Sequence, residues 1–193
     1  MAGRRKGGHG DRVLGAGARE AELDGAAQAL RDPLTGAYTR PFLLSLIALE
    51  ARRCERYGGA FSILGCELAG LSQLRRSHGQ GVSDRLVVYA SIVLGQTVRG
   101  ADVLARVDDG AFAVLLPGSA AGDVRALLSR IAARFELARL RLHSKPFAVE
   151  VALGSTSFPD RVGTARRLLS DAFAQKPRAH EIAGAPPPVG LTV

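Results

Sequence analysis

Apolar positions along the chain change their spacing several times between residues 41 and 175, and each change marks an element. Phe42, Leu43, Leu46, Ile47 and Leu49 recur at helical spacing, which predicts a helix over 41–57 that stops at Gly58-Gly59. The nearly unbroken apolar run FSILGCEL predicts a strand over 60–68. A short helix is expected over 70–78, a turn over 79–81, and a long helix over 83–97 whose start Ser83 or Asp84 can cap. Two strands, 103–107 and 111–116, flank Asp108-Asp109-Gly110, and Asp-Gly is a strong hairpin signal. Beyond them the pattern predicts a helix over 121–140, a strand over 147–155 and a last helix over 164–175. Helices interleaved with hairpin strands imply an α+β fold, one sheet with helices packed on it.

The two ends read differently. Residues 1–18 hold nine glycines or alanines and the basic cluster Arg4, Arg5, Lys6 and Arg12, with no apolar period, and are expected to be a disordered basic tail. Residues 19–31 can form a short helix with Leu23, Ala27 and Leu30 on one face, weakened at Gly25. The domain itself is expected over 32–178, followed by a Pro-rich tail over 179–193 that contains Pro186-Pro187-Pro188.

Composition narrows the class. With 193 residues, 47% of them hydrophobic, the chain can build one ordinary core. The longest apolar run, residues 86–95, is about half of the ~20 residues a membrane helix needs, so no membrane insertion is expected. No apolar segment follows the opening MAGRRKGGHG, so no signal peptide is read there. Two cysteines, Cys54 and Cys66, make neither a disulfide framework nor a zinc site, and the four histidines are scattered without metal spacing. A reducing cytoplasm is the expected setting. The formal charge is +8, carried by 23 arginines and three lysines. Arginine's planar fork suits phosphate and guanine edges, so a nucleotide or nucleic-acid partner enters consideration. Arginines on ordinary solvated faces would give the same count.

Particular residues then carry a resemblance. Asp32-Pro33-Leu34-Thr35-Gly36-Ala37-Tyr38-Thr39-Arg40-Pro41-Phe42 resembles the opening motif of GGDEF domains, the bacterial diguanylate cyclases, which reads D-x-L-T-G-L-x-N-R-x-x-F. Arg99-Gly100-Ala101-Asp102-Val103-Leu104-Ala105-Arg106-Val107 resembles the family's R-x-x-D-x-x-A-R-Y segment. Asp108-Asp109-Gly110-Ala111-Phe112 follows at once, where the family has G-G-D-E-F. The resemblance runs from about Asp32 to Lys176. It implies a five-stranded, mainly antiparallel sheet flanked by helices, of the nucleotidyl-cyclase palm type.

It also implies where the family's chemistry falls. Joining two GTP molecules needs divalent metals held by carboxylates. The first such carboxylate falls on Glu67, while the hairpin acids fall on Gly110 and Ala111, which offer no side-chain oxygen. Asp108 and Asp109 take the two glycine positions where backbone approaches the phosphates, and there they add bulk and negative charge. The family's phosphate lysine falls on Ser72 and its guanine-reading asparagine on Arg75, which donates only; its guanine-binding aspartate is kept as Asp84. These residues read as a vestigial active site with no metal and no catalytic residue.

The family's inhibitory site for cyclic di-GMP, R-x-x-D placed five residues before the hairpin signature, is matched by Arg99 and Asp102, and its helix arginine by Arg130. An arginine pairs with guanine O6 and N7, and a carboxylate accepts from guanine N1–H and N2–H. The same two residues would equally serve to cap the end of the preceding helix. Arg106-Val107-Asp108-Asp109 matches the string too, off the family's spacing. The resulting expectation is a non-enzymatic cyclic di-GMP receptor with no cofactor. It would act on a protein partner, with pairing of two protomers through the ligand as one route. Two alternatives stay open: a structural adaptor with a vestigial nucleotide site, and nucleic-acid binding through the basic N-terminal tail.

Overall fold

The computed structural model describes residues 29–137, 139–142, 145–148 and 150–174. Both expected tails, 1–18 and 179–193, and nearly all of the expected helix over 19–31, lie outside the described residues. In chain order the elements are β1 (Tyr38–Thr39), α1 (Arg40–Tyr57), β2 (Phe61–Leu68), α2 (Leu71–His78), α3 (Gln80–Thr97), β3 (Val103–Asp108), β4 (Ala111–Pro117), α4 (Ala121–Leu137), β5 (Arg139–Leu142), β6 (Lys145–Ala148), β7 (Val151–Phe158) and α5 (Ala165–Ala172).

The unbroken apolar runs of β2 and β4 are explained by their place. The five-stranded sheet has the order β1-β3-β4-β2-β7, so these two strands lie inside it with helices on both faces. One face, carrying Leu64, Cys66, Phe112, Val114 and Leu153, packs on α3 and α4 through Val87, Leu94, Ile131 and Phe135. The other, carrying Phe61, Ile63, Ala113, Leu115 and Phe158, packs on α1 and α5 through Leu43, Ile47 and Leu168. Alternate residues of one strand thus feed two cores. Cys54 and Cys66 are both buried, one in each core. The pairings β2–β4, β2–β7 and β3–β4 are antiparallel and β1–β3 is parallel, which gives the expected α+β, mainly antiparallel architecture. No helix among the described residues is long and apolar enough to cross a membrane.

Several expectations need correction. The long helix starts at Gln80, not Ser83, because Gly79 joins α2 to α3 by itself at φ +83°. Ser83 and Asp84 are therefore inside the helix: the Ser83 hydroxyl donates to the Gln80 carbonyl at 2.8 Å, and Asp84 accepts from the Gln80 amide at 2.6 Å. The helix expected over 121–140 ends at Leu137, and a separate hairpin, β5–β6, follows. The alternation Arg139-Leu140-Arg141-Leu142 has the period of a strand. The strand expected over 147–155 divides accordingly, its first part in β6 and the remainder in β7, which runs on to Phe158. The last helix is shorter than 164–175, with the Thr164 hydroxyl accepting from Arg167 N–H as its cap.

Candidate functional site

Two clefts lie at opposite ends of β3, and the sequence-derived residues divide between them. The larger, about 590 Å³, opens where β2 ends and the β3–β4 hairpin turns. Glu67, Ser72, Asp108, Asp109, Gly110 and Ala111 line it, with Arg40 and Phe173 contributed by α1 and the segment after α5. Register sets the arrangement. Glu67 faces Ala111 across β2–β4, and the Gly110 carbonyl accepts from Leu68 N–H at 2.9 Å. A Cβ at position 110 would meet Leu71 Cδ2 at 2.7 Å, so the Leu71 side chain occupies the space that a larger residue on the hairpin would need. Gly70, at φ +72°, turns the chain from β2 into α2 and brings Leu71 there.

Arg75 and Asp84 do not line this cleft, but Arg75 is joined to it. From the last turn of α2 its guanidinium donates to Asp109 Oδ1 at 2.8 Å and stands 2.7 Å from Oδ2 in an ion pair, and its Nε donates to the Ser83 hydroxyl at 3.3 Å. Arg106 approaches Asp109 from the hairpin itself, donating to its carbonyl at 2.7 Å and standing 3.4 Å from its carboxylate. The hydrogen bond from Arg75, opposed by partial burial and helped by the charges of Arg75 and Arg106, holds the Asp109 carboxyl below the usual carboxylate range. Sequence reasoning placed Arg75 and Asp109 separately and gave no sign that they meet. They are 34 residues apart, and only the fold brings α2 over the hairpin.

Arg106 also reaches the opening motif. It donates to both oxygens of Asp32 at 3.2 Å, and Asp32 accepts from the Thr35 hydroxyl at 2.7 Å and Thr35 N–H at 2.9 Å. Burial works to raise the Asp32 pKa, but these bonds and the Arg106 charge outweigh it and leave it below its ordinary value. A carboxylate whose folded pKa lies below its unfolded one stabilises the fold above the unfolded pKa, and that contribution disappears as pH falls through the folded value. Both side chains are largely buried, 15% and 17% exposed, so Asp32→Ala is expected to cost ~2 kcal/mol at neutral pH. Thermal melts from about pH 7 to about pH 3 check this, since the gap between wild type and variant should narrow on the acid side.

The smaller cleft, about 110 Å³, lies between the turn after α3 and the helix α4, and Arg99, Asp102 and Arg130 all line it, with Ser119 and Asp123. The residues chosen by motif and by counting thus meet at one place. Asp102 accepts from Arg99 N–H at 2.7 Å through Oδ2, and Asp102 N–H donates to the Arg99 carbonyl at 3.0 Å, which closes the turn on itself. Arg130 donates to the Thr97 carbonyl at 2.8 Å and so caps the end of α3. Among the described residues the Arg99 guanidinium makes no ion pair or hydrogen bond and faces solvent. The cleft is below the size of an enclosing ligand pocket, so a ligand would lie on it as on a shelf.

Known proteins extend these findings. Residues 29–180 match the family described as diguanylate cyclase, GGDEF domain. The chain is 27% identical over 135 residues to the diguanylate cyclase DgcP of Pseudomonas aeruginosa, which covers 70% of this chain and 20% of DgcP. It is 25% identical over 143 residues to the probable diguanylate cyclase DgcC of Escherichia coli, covering 74% of this chain and 38% of DgcC. The chain therefore spans well under half the length of these relatives. Among solved structures, the coiled coil and GGDEF domain of DgcB from Caulobacter crescentus, in complex with c-di-GMP, superposes with a TM-score of 0.78 at 20% identity over 85% of this chain and 87% of that one. With the sheet order, the hairpin and the opening motif already in place, a match over this much of the sequence means that the chain belongs to the GGDEF domain family of diguanylate cyclases.

Proposed function

We propose that this protein is a cyclic di-GMP receptor on a GGDEF fold that has lost cyclase chemistry, with residues 32–178 as the receptor domain. The observation that carries the reading is the meeting of Arg99, Asp102 and Arg130 at one cleft. Two guanidiniums and one carboxylate are the donors and acceptor that a guanine edge and its phosphate require. Binding would fix Arg99 against α4, or pair two protomers through the ligand, and so change a surface that a partner protein in the cytoplasm reads.

The larger cleft supports the loss of catalysis. The family's reaction calls for divalent metals, and the residues present do not fit them. Glu67 faces an alanine, position 110 has no side chain, and Leu71 fills the space beyond it. Among the described residues no three His, Cys, Asp or Glu side chains come close enough to hold a metal ion.

Calorimetric titration with cyclic di-GMP tests the receptor reading. Binding below about 100 μM is the expected result, a free energy of roughly −5 kcal/mol or better, and none at that concentration would sink it. Incubation with GTP and magnesium or manganese is expected to give no cyclic di-GMP. Product above a no-protein control, abolished by Glu67→Ala, would restore the enzyme. A second reading, the structural adaptor, is favoured by the bonds from Arg99 N–H to the Asp102 carboxylate and from Arg130 to the Thr97 carbonyl, which serve the fold whether or not a ligand comes. Absent binding in a well-folded protein is its signature.

A further inference from the structure

Asp109 stands on a hairpin at the rim of the 590 Å³ cleft, yet its carboxylate is turned to a guanidinium from another element. Both of its oxygens lie within 2.8 Å of Arg75 Nη2, and Arg106 is 3.4 Å away on the other side. Arg106 has a second carboxylate in Asp32, whereas Asp109 is the only ion-pair partner of Arg75 among the described residues. Arg75 is also held through Nε by Ser83, a buried hydroxyl anchored on the Gln80 carbonyl, so its fork is fixed in direction and does not sweep through solvent. A fixed arginine fork beside exposed hairpin backbone, at the mouth of a cleft, is the arrangement that receives a phosphate. Here a carboxylate of the protein itself fills that role.

We infer that Asp109 is a built-in anion that occupies the phosphate position of this cleft and closes it to nucleoside polyphosphates. The inference rests on the reading above that the cleft is a former nucleotide site. It adds that the group held on an arginine in this cleft is Asp109, and that the guanidinium of Arg75 behind it can take a phosphate once that carboxylate is removed. Asp109 blocks in two ways: it satisfies Arg75, and it places a negative charge where an incoming triphosphate would lie. The ion pair is partly exposed, 32% for Arg75 and 52% for Asp109, so breaking it costs the fold little and leaves the guanidinium accessible.

Inorganic tripolyphosphate and GTP are the probes, titrated without metal into the full chain as wild type, Asp109→Asn, Asp109→Gly and Asp108→Asn. The asparagine variant keeps the shape and removes the charge, so it remains informative if glycine loosens the hairpin. Asp108→Asn removes the same charge one residue away, where among the described residues the carboxylate accepts only from Asp109 N–H and pairs with no arginine. Both Asp109 variants are expected to bind tripolyphosphate and GTP at least about tenfold more tightly than wild type, with a clearly smaller gain for Asp108→Asn, which removes a charge from the same cleft but frees no arginine. A gain for neither probe, a gain confined to GTP, or an equal gain in Asp108→Asn would overturn the inference, since the last would reflect bulk charge alone. Failure of the underlying reading looks different: wild-type protein would already bind GTP tightly. The cyclic di-GMP titration reports on the other cleft and is expected to be unchanged in every variant.

Discussion

Replacing Arg99 by alanine is expected to raise the dissociation constant for cyclic di-GMP about thirty- to hundred-fold, or ~2–3 kcal/mol. The size follows from the side chain's situation. Its guanidinium has no described partner to give up, so nearly all of a charge-assisted bidentate contact appears as binding energy. Asp102→Ala is expected to cost somewhat less affinity while narrowing the preference over cyclic di-AMP, because under the proposed receptor reading Asp102 is the one acceptor of the three for guanine N–H groups. It also removes the bond that closes the 99–102 turn, so a small loss of stability should accompany it. Arg130→Ala should weaken binding and lower stability by ~1 kcal/mol, since the Thr97 carbonyl loses its donor. Arg106→Ala, in the off-register repeat of the string, is expected to act on stability through Asp32 and not as a guanine clamp. Binding that survives Arg99→Ala unchanged would place the ligand elsewhere.

Restoring the hairpin acids with Gly110→Asp and Ala111→Glu is expected to fail twice over. No cyclic di-GMP should form from GTP if, as the family resemblance implies, Arg75 still stands at the guanine-reading position and Asp108 and Asp109 at the phosphate-approach positions. The protein should also lose ~1–3 kcal/mol of stability, because a Cβ at 110 would approach Leu71 Cδ2 to 2.7 Å and one of the two must move. Leu71 is itself a core residue, so Leu71→Ala is destabilising alone. Combined with Gly110→Asp, however, it removes the clash, and the double variant should be less destabilised than the two single losses added. Denaturant titration of the four proteins measures that coupling. Strict additivity would mean that Leu71 does not fill the space beside the hairpin.

How far the sequence led depended on whether the signal was local. The strands β2 and β4 were legible because burial on both faces makes them nearly unbroken apolar runs, and the hairpin because Asp109-Gly110 is a turn dipeptide between β4 and the strand-like segment before it. β1 was not: two residues long, it joins the sheet by pairing in parallel with Ala105 and Arg106, far along the chain. The β5–β6 hairpin was hidden because Leu140 can also extend the helical period of α4, and a short alternating segment yields to a longer neighbouring pattern. Motif spacing pointed to Arg99 and Asp102 and counting to Arg130, three residues that the fold brings to one cleft. The ion pair of Arg75 with Asp109 and the placement of Leu71 beneath Gly110 are long-range facts with no sequence period to announce them.

The bond from Arg99 N–H to the Asp102 carboxylate gives the smaller cleft a particular kinetic character. Oδ2 is committed to holding the turn, and Asp102 N–H with the Arg99 carbonyl closes it from the other side, so the loop is already in one shape before any ligand arrives. Association then freezes chiefly the Arg99 side chain and the ligand, with no backbone left to order, which keeps the entropic barrier of encounter low. Capture by such a shelf should be quick, and differences in affinity among variants should appear in how long the ligand stays.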